Sequence, residues 1–176
     1  MTTADPFELA PSAWVIRFGS SIEPGGSILD VACGSGRHAN WFAARGHAVH
    51  AVDRDDQSKL SSQIAFKRSD IEKEAWPYQG QLFAGVIVTN YLHRPLMKTL
   101  VNAVAPEGWL IYETFAAGNE RFGRPSRSEF LLQPGELLEA VKGKLQVVAY
   151  ENDFVEFPKP AIVQRIAARS VEAAAG

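Results

Sequence analysis

Cysteine is nearly absent from this sequence, since Cys33 is the single cysteine in 176 residues. One cysteine closes no disulfide within the chain and supplies no cluster of thiolates for zinc, and we expect no bound metal. The sequence therefore excludes a disulfide-stapled scaffold and is typical of proteins of the reducing cytoplasm, where we expect this one to act. We interpret Cys33 as a small buried filler rather than a nucleophile.

Long apolar runs and an excess of one charge are also missing. No apolar stretch approaches the roughly 20 residues that cross a bilayer, and the opening "MTTADPFELAPSAWV" has no cationic region followed by a long apolar one. We expect the protein to be neither exported nor embedded in a membrane. The 18 basic and 20 acidic residues give a net charge of -2, which disfavours a nucleic-acid partner without excluding it.

The sequence does have the composition and length of one globular domain. Hydrophobic residues make up 46% of the chain and charged residues 22%. A chain of this size can bury a sizeable core without staples. We predict one domain over 1–176, with an N-terminal helical segment at 1–26.

Strand-like and helix-like segments alternate along the chain. Apolar runs predict strands, and apolar residues at helical spacing predict helices between them. The predicted strands are 27–31, 48–53, 64–70, 82–90 and 108–115, and the predicted helices are 11–18, 37–45 and 94–104. A further helix is predicted from Pro134. Two closing β segments, 145–157 and 161–170, are expected to pair as a hairpin at the sheet edge. This order of elements predicts an α/β fold with a doubly wound, mostly parallel sheet.

A glycine-rich turn follows the first predicted strand, in "ILDVACGSGRHA" at 28–39. Gly34 and Gly36 fit the pattern G-x-G-x-x-A, and Asp53 closes the next strand, as in a dinucleotide site. However, Asp30 lies just before the turn, where it would repel a pyrophosphate by several kcal/mol, in order of magnitude. NAD is therefore a minor alternative, and a cationic ligand is favoured.

S-adenosylmethionine is an adenosine with a cationic amino-acid tail, and it fits the acids that end successive strands. We expect Asp53 to accept both ribose hydroxyls, and Asp70 with the backbone of Ile71 to meet the adenine. Asp30 would lie near the ammonium and sulfonium groups, and the glycines would make room for the tail. The alternatives are that Asp30 caps the following helix and that Asp70 is a solvated turn acid or a cap.

The segments "ILDVACGSGRHA", "AVDRD", "SDIE" and "IVTNYLHRPL" together resemble the class I, Rossmann-like S-adenosylmethionine-dependent methyltransferases. The match runs from about Ser27 to Phe115. The resemblance implies a seven-stranded sheet with the last strand antiparallel and a cofactor site that includes Asn90 at a strand end. In its length and in the segment "CGSGRHA", the chain most resembles small bacterial enzymes of the tellurite-resistance and thiopurine methyltransferase type. Arg54 stands where such enzymes often carry an apolar residue, and its guanidinium can stack on a purine instead.

Further polar residues are candidates for binding and catalysis. Arg37, or alternatively Arg17, is expected to bind the carboxylate of the cofactor. His93 is expected near the reacting methyl group as a base or a substrate contact, or else as a helix cap. In the strand 108–115, one of Tyr112 and Glu113 must face the cleft; we assign Tyr112 a catalytic role and Glu113 a substrate contact.

A long polar segment, 116–133, is predicted to be an active-site loop, because structureless stretches of this length are usually functional or disordered. Its Arg121 and Arg124, with Arg127, could clamp an anionic substrate or close over the cofactor. The alternative is that they belong to a solvated loop. The function predicted is methyl transfer to a small-molecule acceptor. Methylation of RNA or a ribosomal component, and a cofactor-binding module without turnover, are the alternatives.

Overall fold

Seven strands form one sheet in the computed structural model, which describes residues 10–57 and 59–171. The order across the sheet is β3-β2-β1-β4-β5-β7-β6. The strands are β1 Ile28–Val31, β2 Val49–Asp53, β3 Ala65–Arg68, β4 Phe83–Thr89, β5 Val104–Phe115, β6 Gln146–Val155 and β7 Ala161–Arg169. Strands β1 to β5 pair in parallel, while β7 is antiparallel to both β5 and β6. The predicted fold is confirmed.

Helices cover both faces of this sheet. They are α1 Ala13–Gly19, α2 Arg37–Ala43, α3 Met97–Asn102 and α4 Glu136–Val141, with 3-10 turns at Arg94–Leu96, Asn119–Arg121 and Ser128–Phe130. Alternate strand residues feed two separate apolar clusters, so that α1 and α2 pack with Ile87 on one face while α3 and α4 pack with Val86 and Val88 on the other. No helix in the described ranges is long and apolar enough to span a bilayer.

The first helix shows how local sequence sets an element boundary. Ser12 is its N-cap, and its hydroxyl oxygen accepts hydrogen bonds from the backbone N–H groups of Trp14 and Val15. The side chains of Trp14, Val15 and Phe18 then point into the core. The helix begins at the cap rather than at residue 11, as the sequence had suggested.

One prediction of local structure has the wrong end point. The helix predicted over 94–104 ends at Asn102, and Val104 already pairs with Phe83 as the start of β5. The strand then passes through an irregular pairing in which Glu107 has a φ of 60°. The predicted closing hairpin does form at the sheet edge, where β7 lies between β5 and β6 and β6 is the outermost strand.

Candidate active site

A cavity of about 600 Å³ lies at the carboxyl ends of the parallel strands. Small-molecule sites typically measure about 300–1,000 Å³, and in open α/β sheets they occupy this edge. The lining residues come from the ends of β1 to β5 and from the segment 116–133: Ala32, Asp53, Arg54, Asp55, Ser69, Asp70, Ile71, Glu72, Asn90, Tyr91, Leu92, Thr114, Phe115, Pro125 and Phe130.

The glycine turn after β1 borders this cavity and needs glycine at two positions. Gly34 and Gly36 have φ values of 53° and 78°, which disfavour other residues. A Cβ on Gly36 would collide with the side chain of Leu60, whereas a Cβ on Gly34 would meet nothing within 4 Å. Gly34 is exposed with open space in front of it, and the turn contributes Ala32, rather than Gly34 or Gly36, to the lining of the cavity.

Asp53 ties the glycine turn to the end of β2. Its Oδ2 accepts the N–H of Gly34 at 2.9 Å, and its Oδ1 accepts the N–H of Asp55 at 3.0 Å. The side chain also lines the cavity. The same carboxylate thus shapes the turn and presents negative charge to a ligand.

Asp30 lies beneath the turn rather than facing the cavity. It is 1% exposed, and its Oδ2 accepts the N–H of Ala39 at 3.0 Å in the first turn of α2. Burial raises the pKa of Asp30 to about 7. Asp30 therefore caps the following helix, which was the alternative interpretation. Asp53 and Asp70, which line the cavity, are the acids that would repel an anionic ligand.

The ends of β3 and β4 supply the next wall. Asp70 and Ile71 follow β3, where Oδ1 of Asp70 accepts the N–H of Glu72 at 3.2 Å. Asn90 follows β4 with a φ of 53°, and its N–H donates to the carbonyl of Glu113 at 2.9 Å. Arg54 borders the cavity as well, with its side chain 75% exposed. The predicted strand-end residues are therefore brought together.

Tyr91 and Glu72 form a polar feature that the sequence analysis missed. The Tyr91 hydroxyl is buried and has no hydrogen-bond partner among residues 10–57 and 59–171. Burial and the nearby negative charge of Glu72 raise its pKa, so the phenol stays protonated. Tyr91 directly follows the strand-terminal Asn90, and this position was the available signal.

Three predicted site residues, Arg37, Arg17 and His93, are not among the residues that line the cavity. The Arg37 guanidinium donates to the carbonyl of Ala10 at 3.0 Å, and Arg17 lies on the ring of Phe18 in α1. His93 places Nδ1 at 3.8 Å from a Glu72 carboxylate oxygen, and it makes no side-chain cap on the helix that it precedes. The chain just before His93 does line the cavity, through Tyr91 and Leu92.

Tyr112 and Glu113 bond other parts of the protein and do not line the cavity, contrary to the expected roles in catalysis and substrate binding. Tyr112 is fully buried, and its hydroxyl donates to the carbonyl of Tyr91 at 2.7 Å. Glu113 accepts from the Ser12 hydroxyl at 2.8 Å and from the Arg165 guanidinium at 3.0 Å. Both faces of the sheet are covered, so neither side chain reaches the cavity, and β5 contributes Thr114 and Phe115 instead.

The segment 116–133 does reach the cavity, but through different residues from those predicted. Pro125 and Phe130 line it. Arg121 donates to the carbonyl of Gly118 and lies 5.7 Å from the ring of Phe122, while Arg124 is exposed. Neither guanidinium is among the residues that line the cavity, so the arginine clamp on an anionic substrate stays a prediction. No periodicity in this segment marked Pro125 or Phe130 in advance.

The fold, with a rim of acids at the strand ends, defines a Rossmann-like class of α/β domain, and comparisons with known proteins identify the family. A methyltransferase domain family matches residues 7–140, so the chain belongs to that family. The prediction that the chain is a methyltransferase is confirmed at the level of the family. Comparison with curated protein sequences gives no match.

Solved structures share the fold at low sequence identity. TehB from Haemophilus influenzae superposes with a TM-score of 0.73 and 17% identity, over 91% of this chain and 62% of that one. The chain thus spans less than two thirds of the length of TehB. A 1,6-didemethyltoxoflavin-N1-methyltransferase from Burkholderia thailandensis, with bound S-adenosylhomocysteine, gives 0.67 at 15% identity over 90% and 77%. The N-methyltransferase NodS from Bradyrhizobium japonicum gives 0.66 at 16% identity over 90% and 93%.

Proposed function

We propose that this protein transfers the methyl group of S-adenosylmethionine to a small-molecule acceptor in the cytoplasm. The observation that carries the proposal is the arrangement of Asp53 and Asp70 around one cavity, beside the open space at Gly34. Family membership supports the donor and the type of reaction. Two of the similar structures are named as small-molecule or N-methyltransferases.

The residues present fit the methyl donor. The space in front of Gly34 would receive its amino-acid tail. Asp53 would accept the ribose hydroxyls, while Asp70 and the backbone of Ile71 would meet the adenine, with Asn90 and Arg54 beside them. When bound, the donor supplies a methyl group on a positively charged sulfur.

The chain itself supplies charge, placement and shelter. The cavity lining holds four carboxylates and one guanidinium, which favours a cationic ligand: Asp53, Asp55, Asp70, Glu72 and Arg54. Holding the two reactants in line accounts for most of the rate gain in such a transfer, and a base is needed only where the acceptor must lose a proton. Phe115 and Phe130 give the side of the cavity next to β5 an apolar surface.

The segment 116–133 is proposed as the active-site loop of a single domain over 1–176. Support comes from Pro125 and Phe130, which line the cavity, and from hydrogen bonds that join the loop to β5 beside it. The N–H of Leu132 donates to the carbonyl of Phe115 at 3.0 Å, and the N–H of Ala117 donates to the carbonyl of Leu132 at 2.9 Å.

Titration calorimetry with S-adenosylhomocysteine tests the proposal. We expect saturable binding that Asp53→Asn weakens about 10- to 100-fold, because hydrogen bonds to charged groups contribute about 1.5–3 kcal/mol. Asp56→Asn removes the same charge from an exposed residue of the same turn and should leave the affinity unchanged. Absence of binding to the unmodified protein, or equal losses in the two variants, would contradict the proposal.

A further inference from the structure

We infer that the methyl acceptor is a flat ring compound, neutral or cationic, that stacks against a wall formed by Phe115, Pro125 and Phe130. The inference rests on the proposed function and names the class of its substrate. The wall lies along the end of β5 and the segment 116–133, away from the strand-end acids that would hold the donor.

The wall is made of surfaces that suit a ring. Phe115 ends β5, and Pro125 and Phe130 come from the loop. Phe130 is 44% exposed although it borders a cavity. Aromatic faces bind other rings in offset or edge-on arrangements and gain further from the burial of apolar surface. An aromatic side chain left open at a cavity mouth is therefore a binding surface for a flat apolar group.

Arg94 holds this wall in place. Its guanidinium donates to the carbonyl of Glu129 at 2.9 Å and to the carbonyl of Leu131 at 2.9 Å, the two residues that flank Phe130. It also forms a bidentate pair with Glu136, at 2.6 and 3.0 Å. The backbone on both sides of Phe130 is thus fixed before a ligand arrives, which lowers the entropy cost of binding.

The charge around the cavity disfavours an anionic acceptor. The lining holds four carboxylates and one guanidinium, that of Arg54. Nearby cations offset this charge only in part. Lys73 pairs with Asp70 at 3.4 Å, and the ammonium group of Lys159 lies 5.8 Å from the ring centre of Phe115. Arg127 lies 5.6 Å from the ring centre of Phe130, but its charge is paired with that of Glu129 at 2.8 Å. An anion in this cleft would meet like charges on several sides, while a neutral or cationic ring would not.

Three naphthalene compounds that differ only in charge test the inference: 2-naphthylmethanol, (2-naphthylmethyl)ammonium and 2-naphthoate. Their binding is measured by ligand-observed NMR titration with S-adenosylhomocysteine at saturation. We expect the neutral and cationic compounds to bind at least tenfold more tightly than 2-naphthoate. Cyclohexylmethanol, which is not flat, should bind more weakly than 2-naphthylmethanol.

A matched pair of variants locates the site. Phe130→Ala should weaken 2-naphthylmethanol about tenfold. Phe122→Ala removes an aromatic ring of the same loop with similar exposure, 43%, which packs on Phe154 outside the cavity lining, and it should have no effect. Both residues lie at the surface, so both variants should fold, as checked by their thermal unfolding.

Each part of the inference can fail separately. Tighter binding of 2-naphthoate would overturn the charge assignment, and equal binding of cyclohexylmethanol would overturn the ring. Equal effects of Phe130→Ala and Phe122→Ala, or no binding of any naphthalene compound, would overturn the site. If S-adenosylhomocysteine itself does not bind, the proposed function fails, and the same titrations without it still decide whether the wall binds rings.

Discussion

Among single residues, Asp30 is an ionisable group that is almost fully buried, with 1% of its surface exposed. Its carboxyl group lies under the glycine turn and accepts the N–H of Ala39, which favours the charged form, while burial favours the neutral form. Burial is the stronger effect, since the pKa rises from 3.8 to about 7. A carboxyl group in this state makes folding stability depend on pH.

Asp30→Asn tests that dependence. A raised carboxyl pKa means that the native state holds a proton that the unfolded chain has released. The resulting stability is complete below about pH 4 and is lost as the pH rises to about 7. Between pH 5 and pH 8 the loss is about 2–3 kcal/mol, at about 1.4 kcal/mol per unit. Asp30→Asn has no carboxyl group at this position, so its melting temperature should fall roughly 5 to 10 °C less than that of wild type between pH 5 and pH 8.

Comparison with the wild-type protein is needed because His38 acts in the opposite direction. Burial lowers the pKa of His38 to about 3, so its contribution to stability is lost as the pH falls below the value of a free histidine. This slope is present in both proteins and cancels in the difference. Asp56→Asn, at an exposed acid, should keep the wild-type profile. Parallel profiles for wild type and Asp30→Asn would show that Asp30 is ionised throughout.

At the scale of elements, strand ends were predictable and the loop was not. Asp53, Asp70 and Asn90 each close a predicted strand, and the carboxyl ends of parallel strands meet at one edge. Their shared cavity thus followed from the order of strands. The segment 116–133 has no periodicity, and its conformation depends on long-range bonds from Arg94. Nothing near Phe130 in the sequence indicates that a residue 36 positions earlier holds its backbone (130 minus 94).

Arg94→Lys should loosen this loop while leaving the donor site intact. A lysine carries the charge but has no planar fork to bond two carbonyls and a carboxylate together. We expect amide hydrogen exchange at Leu131 and Leu132 to speed up about tenfold, since one charged hydrogen bond contributes about 1.5–3 kcal/mol. The affinity for S-adenosylhomocysteine should not change.

Arg127→Lys is the matched control for the loop. Arg127 also pairs with a glutamate of this segment, but its side chain is 72% exposed and bonds no backbone carbonyl among the described residues. Exposed pairs contribute about 0–1 kcal/mol. Equal exchange rates in the two lysine variants would show that the loop does not depend on Arg94.

Over the whole molecule, a row of charges crosses the half of the sheet that contains the antiparallel strand. Glu113 of β5, Arg165 of β7 and Glu151 of β6 lie directly opposite one another in the strand registers. Arg165 donates to both carboxylates, at 3.0 and 2.8 Å, and lies 4.9 Å from the ring of Trp14. Glu113 also accepts from Ser12, so that one network joins α1 to three strands.

The sequence could not reveal this network, because it depends on the position of β7. With the hairpin placed outside β5, either of its strands could be the neighbour of Glu113. Only the insertion of β7 between β5 and β6 brings Arg165 between two acids. In the sequence of a strand, an acid that pairs with an arginine cannot be distinguished from an acid that binds a substrate. This explains why Glu113 was assigned to the substrate, whereas the class of the domain was identified correctly.

Glu113→Gln should therefore lower global stability rather than select against a substrate. The glutamine keeps a hydrogen-bond acceptor, but it removes one of two charges that compensate Arg165, whose side chain is 22% exposed. We expect a loss of about 1–3 kcal/mol, measured as a fall of roughly 3 to 10 °C in melting temperature.

Glu107→Gln is the control, because Glu107 is 68% exposed and lies 3.9 Å from Arg169. Its melting temperature should stay within about 2 °C of wild type, as surface substitutions usually cost under 0.5 kcal/mol. Equal melting temperatures for the two variants would mean that the row of charges does not stabilise the fold.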